Sequence, residues 1–260
     1  MKKRVNINTA LQKKKPNTVF EPNQACPFCH KETMDQNVLL NRMNSFIWIE
    51  NKYPTLDNTY QTVLLEHTDC GENISTYEKS YLYQLIEWSL SKWEELENSG
   101  KFKSVLFFKN HGKQADSSIQ HAHMQLIGLC DIDYREELTS SQFEGITIAQ
   151  KEGVTFNVST RPVSEFYEFN VMVEESLFTH VFSDFLQDAV TYILTDLNLV
   201  HQSFNIAFYK WEGKLIAKII SRKPASILLL GYGISQVPSD VNDVRKNIQK
   251  KFHYFEEKEV

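Results

Sequence analysis

The stretch His121-Ala122-His123-Met124-Gln125 constrains this chain more than any other. Successive side chains of a strand alternate between its faces, so His121, His123 and Gln125 are predicted to point one way and Ala122, Met124 and Leu126 the other. Such a strand belongs in a sheet with chemistry on one side and core on the other. The flanks agree. Residues 103–110 (KSVLFFKN) are β-branched and aromatic, 111–120 (HGKQADSSIQ) form a polar run with Gly112, and 122–129 return to apolar residues, a pattern of strand, loop, strand. Two imidazoles at this spacing can ligate a metal, supply a nucleophile with a helper, or form a satisfied pair in a polar core.

Charge and cysteine usage narrow the class. The 260 residues can form one large domain or two of about 130 residues, each able to bury a core. A formal net charge of -5 argues against a nucleic-acid partner held through its phosphates, which needs a basic face. The exception is the basic N-terminus, Lys2, Lys3, Arg4 and then Lys13 to Lys15. It reads as a solvated, flexible arm, with contact to a small phosphorylated ligand as the sharper alternative. No segment has the roughly 18 apolar residues of a membrane span, and no signal-peptide core follows the basic start. A cytoplasmic protein with no membrane partner is expected. Its four cysteines, Cys26, Cys29, Cys70 and Cys130, are then thiols or metal ligands rather than a disulfide framework.

Along the chain, residues 1–25 are polar and contain Pro16 and Pro22. Cys26-Pro27-Phe28-Cys29 follows and leads into a polar loop (HKETMDQN). A lone CxxC is a redox dithiol, half of a zinc site or a coincidence. The loop-like surroundings favour half of a zinc site, because a thioredoxin-like dithiol needs a preceding strand and a helix opening at the second cysteine. Strands are predicted over 45–50 and 62–66, with a turn at Asn51-Lys52-Tyr53-Pro54 between them. A helix is predicted over Ser75 to about Glu97, started by a Ser75–Glu78 capping box. After a charged connector (131–151), strands over 154–159 and 167–173, a helix over 176–197, strands over 203–211 and 215–221, and a closing helix over 240–256 repeat the order of the first half. The repeat suggests an internal duplication whose second copy, 146–260, lacks the HxHxQ of the first, 1–145.

A structural zinc site takes four nitrogen or sulfur ligands in a tetrahedron. Cys26 and Cys29 form a chelating pair, and His121 with either Cys70 or His67 completes a Cys3His or Cys2His2 set. If His121 binds the metal, His123 remains for chemistry. Four protein ligands leave no open position for water, so such a metal is structural. Cys130, ending an apolar strand, reads as core.

Together these residues resemble the galactose-1-phosphate uridylyltransferase branch of the histidine triad superfamily, which also contains sugar-nucleotide and dinucleotide phosphorylases. The resemblance rests on the order of CxxC, the Asn-Lys-Tyr-Pro turn, a strand ending in a zinc-ligand position before a helix, Asn110, a loop with Ser117 and Ser118, and HxHxQ. It implies an α+β fold of two related halves, each an antiparallel sheet with a packed helix, and a homodimer. By position it makes Cys26, Cys29, Cys70 and His121 the ligands of a structural Zn2+, with Cys70 preferred to His67. It puts Asn51 near a nucleoside, gives the phosphates to Asn110, Ser118 and Gln125, counts Ser117 among the substrate-binding residues, and makes His123 the nucleophile.

The residue types suit that chemistry. A neutral imidazole whose other N–H is held by a backbone carbonyl can attack the α-phosphorus of a nucleotide and form a cationic nucleotidyl-histidine. Glutamine at position 125 hydrogen-bonds but cannot donate a proton as a histidine would, which favours leaving groups and acceptors that are themselves phosphates. The expected activity is therefore transfer of UMP or AMP between phosphate acceptors such as sugar 1-phosphates. A phosphorylase or hydrolase of sugar nucleotides or dinucleotides, and a non-catalytic nucleotide-binding protein, are the alternatives. The chain also departs from the transferases. It has Leu230-Gly231-Tyr232-Gly233 where they carry Val-Gly-Tyr-Glu, Ala122 in place of proline and Met124 in place of glycine, which puts hexose recognition in question.

Overall fold

The computed structural model describes residues 4–21, 25–29, 39–68, 70–164, 166–197, 202–234 and 236–254. The polar loop after Cys29, the lysines at positions 2 and 3, and the end of the predicted closing helix at 255–256 lie outside these residues. The chain divides into two compact units, Met1–Glu136 and Glu137–Val260.

The first unit runs α1 (Thr9–Gln12), β1 (Leu39–Met43), β2 (Phe46–Glu50), β3 (Thr59–Leu65), α2 (Lys79–Asn98), β4 (Ser104–His111) and β5 (His123–Leu129). Its strand order is β1-β2-β3-β5-β4, and neighbours are antiparallel. The second unit runs β6 (Gly145–Lys151), β7 (Val154–Ser159), β8 (Glu168–Glu174), α3 (His180–Thr195), β9 (Ser203–Trp211), β10 (Lys214–Arg222), α4 (Ile227–Tyr232) and α5 (Val241–Lys251). Its order is β6-β7-β8-β10-β9, again antiparallel. Each unit is thus three strands, a helix and two strands, with the last strand lying between the third and the fourth. The fold is α+β. Among the described residues no helix is long and apolar enough to cross a membrane.

The first strand of each unit was missed by the sequence pattern, β1 in the first and β6 inside the predicted charged connector. Each ends its unit's strand order, and β1 buries none of its residues. A strand with little to bury shows little apolar alternation.

Helix α2 covers one face of the first sheet. Leu82, Leu85, Ile86, Trp88, Trp93 and Leu96 are buried on it. Trp88 lies 5.6 Å from Phe46 of β2 and Trp93 lies 5.5 Å from Phe107 of β4, ring centroid to ring centroid. The predicted capping box does not form. Ser75 is held by Asn73 instead, its amide and hydroxyl donating to Asn73 Oδ1 at 3.0 and 2.8 Å, and the helix starts after Glu78 with no side-chain cap. Short polar side chains compete in this way with helix initiation. The opposite face of the sheet carries Ile47, Ile49, Val63 and Leu65, onto which Phe28 packs.

The two units differ most where their last two strands connect. Strands β9 and β10 are joined by the two-residue turn Glu212-Gly213, with φ of +51° and +73°, the left-handed pair that matches a tight hairpin. Strands β4 and β5 are joined by residues 112–122, and their pairing ends at Phe108↔Gln125. Beyond that pair the two strands separate, which leaves room beside His123.

Candidate active site and metal centre

The sulfurs of Cys26, Cys29 and Cys70 and a ring nitrogen of His121 lie within 4.8 Å of one another. His121 Nδ1 is 3.8, 3.5 and 3.5 Å from the sulfurs of Cys26, Cys29 and Cys70, and Cys29 and Cys70 are 3.0 Å apart. A tetrahedron with metal–sulfur bonds of about 2.3 Å and a metal–nitrogen bond of about 2.0 Å has edges of roughly 3.5–3.8 Å. The three nitrogen–sulfur distances match these edges while the Cys29–Cys70 pair is closer, and the four donors together could hold a tetrahedral metal ion. His121 is fully buried, and its Nε2–H donates to the backbone carbonyl of His67 at 2.9 Å, which directs Nδ1 toward the sulfurs. His67 thus supplies a backbone oxygen, while its ring packs 6.0 Å from that of Tyr77.

The thiols are electrostatically unequal. Burial pushes Cys26 up, but hydrogen bonds from His121, the Phe28 amide and the neighbouring thiols bring it down to about 6. Burial and the adjoining Cys29 and Cys26 sulfurs push Cys70 up. Three thiolates this close repel one another unless a cation sits among them. Cys130 is not core as expected from its strand: β5 ends at Leu129 and Cys130 is exposed.

His121 and His123 do not share a destination. Strand β5 begins at His123, so His121 precedes it and turns to the cysteines, whereas His123 and Gln125 line a cavity of about 460 Å³. Asn51, Asn110, Ser117 and Ser118 line the same cavity, over an apolar floor that includes Ile49, Val63, Phe108 and Ile127. Asn51 Oδ1 accepts the Tyr53 amide at 2.9 Å, fixing the turn, and the Ser117 hydroxyl donates to the Ile119 carbonyl at 3.0 Å.

His123 is buried, and its Nδ1–H donates to the backbone carbonyl of His121 at 2.7 Å. That bond leaves Nε2 as the nitrogen with a lone pair. Burial lowers its pKa to about 4; the bond to the His121 carbonyl opposes the shift, and the charges of Lys109, His121 and Lys15 add to it. The ring is neutral at pH 7. Phe28, from between the two cysteines of the CxxC, stands edge-on to both imidazoles, with centroids 5.8 Å from His121 and 5.7 Å from His123.

Several residues of the site lack an obvious signal in the sequence. Behind His123, the buried Lys109 ammonium pairs with the buried Glu66 carboxylate and donates to the His123 carbonyl at 3.3 Å. Tyr77 donates to Glu66 Oε2 at 3.2 Å, and Tyr81 to the Glu66 carbonyl at 2.7 Å. The alternation of β4 was the available clue, since it places Lys109 on the face of Val105 and Phe107. The N-terminal arm is also not the solvated arm expected. Ile7 bridges Leu56, the Asn8 amide donates to the Thr55 carbonyl at 2.8 Å, and Thr18 Oγ1 accepts the Gln120 amide at 2.9 Å. Between these ties Gln12, Lys15 and Pro16 line the cavity.

The fold is similar to solved structures of two enzymes. The structure of an ADP-glucose phosphorylase from Arabidopsis thaliana with bound ADP-glucose aligns with a TM-score of 0.69 at 14% identity, over 95% of this chain and 98% of that one. A uridylyltransferase structure aligns with a TM-score of 0.66 at 15% identity, over 89% of this chain and 92% of that one. At these identities the likeness establishes the fold. The class is therefore the α+β fold that these uridylyltransferase and phosphorylase structures share.

Within that fold, the chain belongs to the DUF4931 family. The family's N-terminal domain, described as a domain of unknown function, matches residues 7–132, and its C-terminal domain matches 135–255. The crystal structure of a DUF4931 family protein from Bacillus cereus is 36% identical, with a TM-score of 0.75, and covers 82% of this chain and 99% of that one. A comparison with functionally curated proteins returns no match.

Proposed function

We propose that this protein is a nucleotidyltransferase that moves a nucleoside monophosphate, UMP or AMP, between phosphate acceptors such as sugar 1-phosphates through a nucleotidyl-histidine on His123. The observation that carries this reading is the hydrogen bond from His123 Nδ1–H to the His121 carbonyl, with His123 lining a cavity bordered by amide and hydroxyl side chains. The Nε2 lone pair attacks the α-phosphorus. The bond from that phosphorus to the bridging oxygen breaks, and its electron pair leaves with the departing phosphate. A phosphate oxygen of the acceptor then attacks the same phosphorus, and the N–P pair returns to Nε2. No proton needs to be delivered to either phosphate, which suits Gln125.

In this reading Asn110, Ser118 and Gln125 stabilise charge on the non-bridging oxygens, Ser117 borders the substrate and Asn51 lies at the nucleoside. Cys26, Cys29, Cys70 and His121 hold a structural Zn2+, which would fix the CxxC knuckle and His121. The chain acts as a homodimer with its catalytic centre in the first unit, and the second unit, without HxHxQ, supports it. A phosphorylase reading uses the same histidine with inorganic phosphate as acceptor, and the likeness to an ADP-glucose phosphorylase across 95% of the chain favours keeping it as the second reading.

The test is intact-mass spectrometry after brief incubation with UDP-sugars, ADP-glucose and diadenosine polyphosphates, beside His123→Ala. The expected result is a mass gain of one UMP or AMP, absent in the variant. Its discharge by a sugar phosphate supports the transferase, and by inorganic phosphate alone the phosphorylase. Undiminished turnover in His123→Ala would sink the mechanism.

A further inference from the structure

The backbone carbonyls of His121, Ala122 and His123 are each held by a different donor. The His123 ring takes the first at 2.7 Å, the Glu66 amide the second at 3.1 Å, and the Lys109 ammonium the third at 3.3 Å. Carbonyls along a strand point alternately to its two neighbours. Because the Ala122 carbonyl goes to Glu66, at the end of β3, that of His123 points toward β4. There the ladder between β4 and β5 ends at Phe108↔Gln125, two residues short of His123, although β4 itself runs on to His111. The parting that opens room beside His123 thus carries its carbonyl beyond the ladder, and a buried carbonyl then needs another donor.

Lys109 is that donor, and it comes from the face of the sheet away from the cavity. Phe108 and Asn110 line the cavity, so Lys109 between them points to the side of Phe107 and helix α2. Its ammonium is fully buried and reaches across the gap that a strand amide would otherwise fill. Glu66 balances the charge: one carboxylate oxygen pairs with the ammonium and the other accepts from the Tyr77 hydroxyl at 3.2 Å. Glu66 and Lys109, bound to each other, thereby fix two successive peptide groups of the segment that carries His123.

We propose that Lys109 is a positioning residue for His123, holding the carbonyl that the parting of β4 from β5 leaves outside the ladder and so fixing the backbone from which the imidazole projects. This rests on the reading that His123 is the nucleophile. Lys109 acts through His123 and does not touch a ligand in the cavity. It therefore governs the rate of attack on the α-phosphorus and leaves nucleotide binding alone.

The experiment compares the wild-type full chain with Glu66→Gln, which keeps the donor, and with Lys109→Met/Glu66→Gln, which removes it together with the buried counter-charge. Three quantities are read: the rate of adduct formation with ADP-glucose and UDP-glucose by intact mass, the affinity for ADP and UDP by isothermal titration, and the carbonyl NMR signal of His123 in protein labelled at its histidine carbonyls. A reacting atom displaced by about 1 Å costs roughly a hundredfold in rate. The double variant is expected to form the adduct slower by about that factor with diphosphate affinity within about twofold of wild type, while Glu66→Gln slows by less than about fivefold. The His123 carbonyl signal should move upfield in the double variant only. A double variant that reacts as fast as wild type overturns the proposal. So does equal slowing in both variants, a parallel loss of rate and affinity, or a double variant that does not fold, each of which would make the pair merely structural. A wild type that forms no adduct removes the transfer reading; the carbonyl signal then decides whether Lys109 holds His123, and an unmoved signal in the double variant overturns that as well.

Discussion

His121 holds His123 through its own backbone: the carbonyl of His121 accepts the Nδ1–H of His123 at 2.7 Å, while the His121 ring faces three cysteine sulfurs. One residue thus belongs to both centres. Whatever fixes the His121 ring also fixes the carbonyl that sets the tautomer and direction of His123.

Loss of the metal group is expected to reach the cavity. Cys26→Ser and His121→Ala should be purified without stoichiometric zinc and with a melting temperature lower by about 10 °C or more, because binding at a structural site contributes directly to folding. Elemental analysis and thermal melts check this. Wild-type protein free of metal when purified without chelator would count against the ligand set.

The ion pair behind His123 makes a different prediction. Both Glu66 and Lys109 are buried, so Lys109→Met leaves an uncompensated carboxylate and should cost about 3–5 kcal/mol in urea unfolding. The double variant Lys109→Met/Glu66→Gln should recover much of that loss, since a neutral amide can still accept from Tyr77. Additive losses in the double variant would show that the pair is not coupled.

His111 contributes a pH dependence. Burial, aided by the charges of Lys109 and His123, lowers its pKa from 6.5 to about 4. The folded state therefore binds fewer protons than the unfolded one between these values. The stabilisation from the neutral ring is present above pH 6.5 and is lost as the pH falls toward 4. His111→Gln, which cannot titrate, should remove up to about 3 kcal/mol of the stability difference between pH 7 and pH 4. Unfolding curves at the two pH values, compared between variant and wild type, read the effect, and an identical difference in both would refute the assignment.

The sequence carried the strands best where one face must be buried. The alternation through 103–110 and 122–129 placed β4 and β5, and the spacing of large apolar residues placed α2 and α3. It failed for β1 and β6, which bury little, and at the start of α2, where Asn73 captures Ser75. In the site, His123 and Gln125 were legible from strand alternation, whereas Asn51, Asn110, Ser117 and Ser118 became candidates only through the family resemblance. The structure gathers them around one cavity.

By itself the sequence determined the local chemistry: a CxxC knuckle, two imidazoles two residues apart, a polar loop before them, and three strands, a helix and two strands in outline. Only the tertiary structure brought Cys70 to Cys26, Cys29 and His121, sent His121 and His123 in different directions, buried Lys109 against Glu66, and set Lys15 at the cavity. The reason is range. Periodicity and side-chain type act over a few residues, whereas four side chains drawn from positions 26 to 121 meet only where sheet register and loop length bring them. The same distinction separates the two units, since a two-residue turn closes β9 onto β10 while residues 112–122 open β4 from β5 and leave room beside His123.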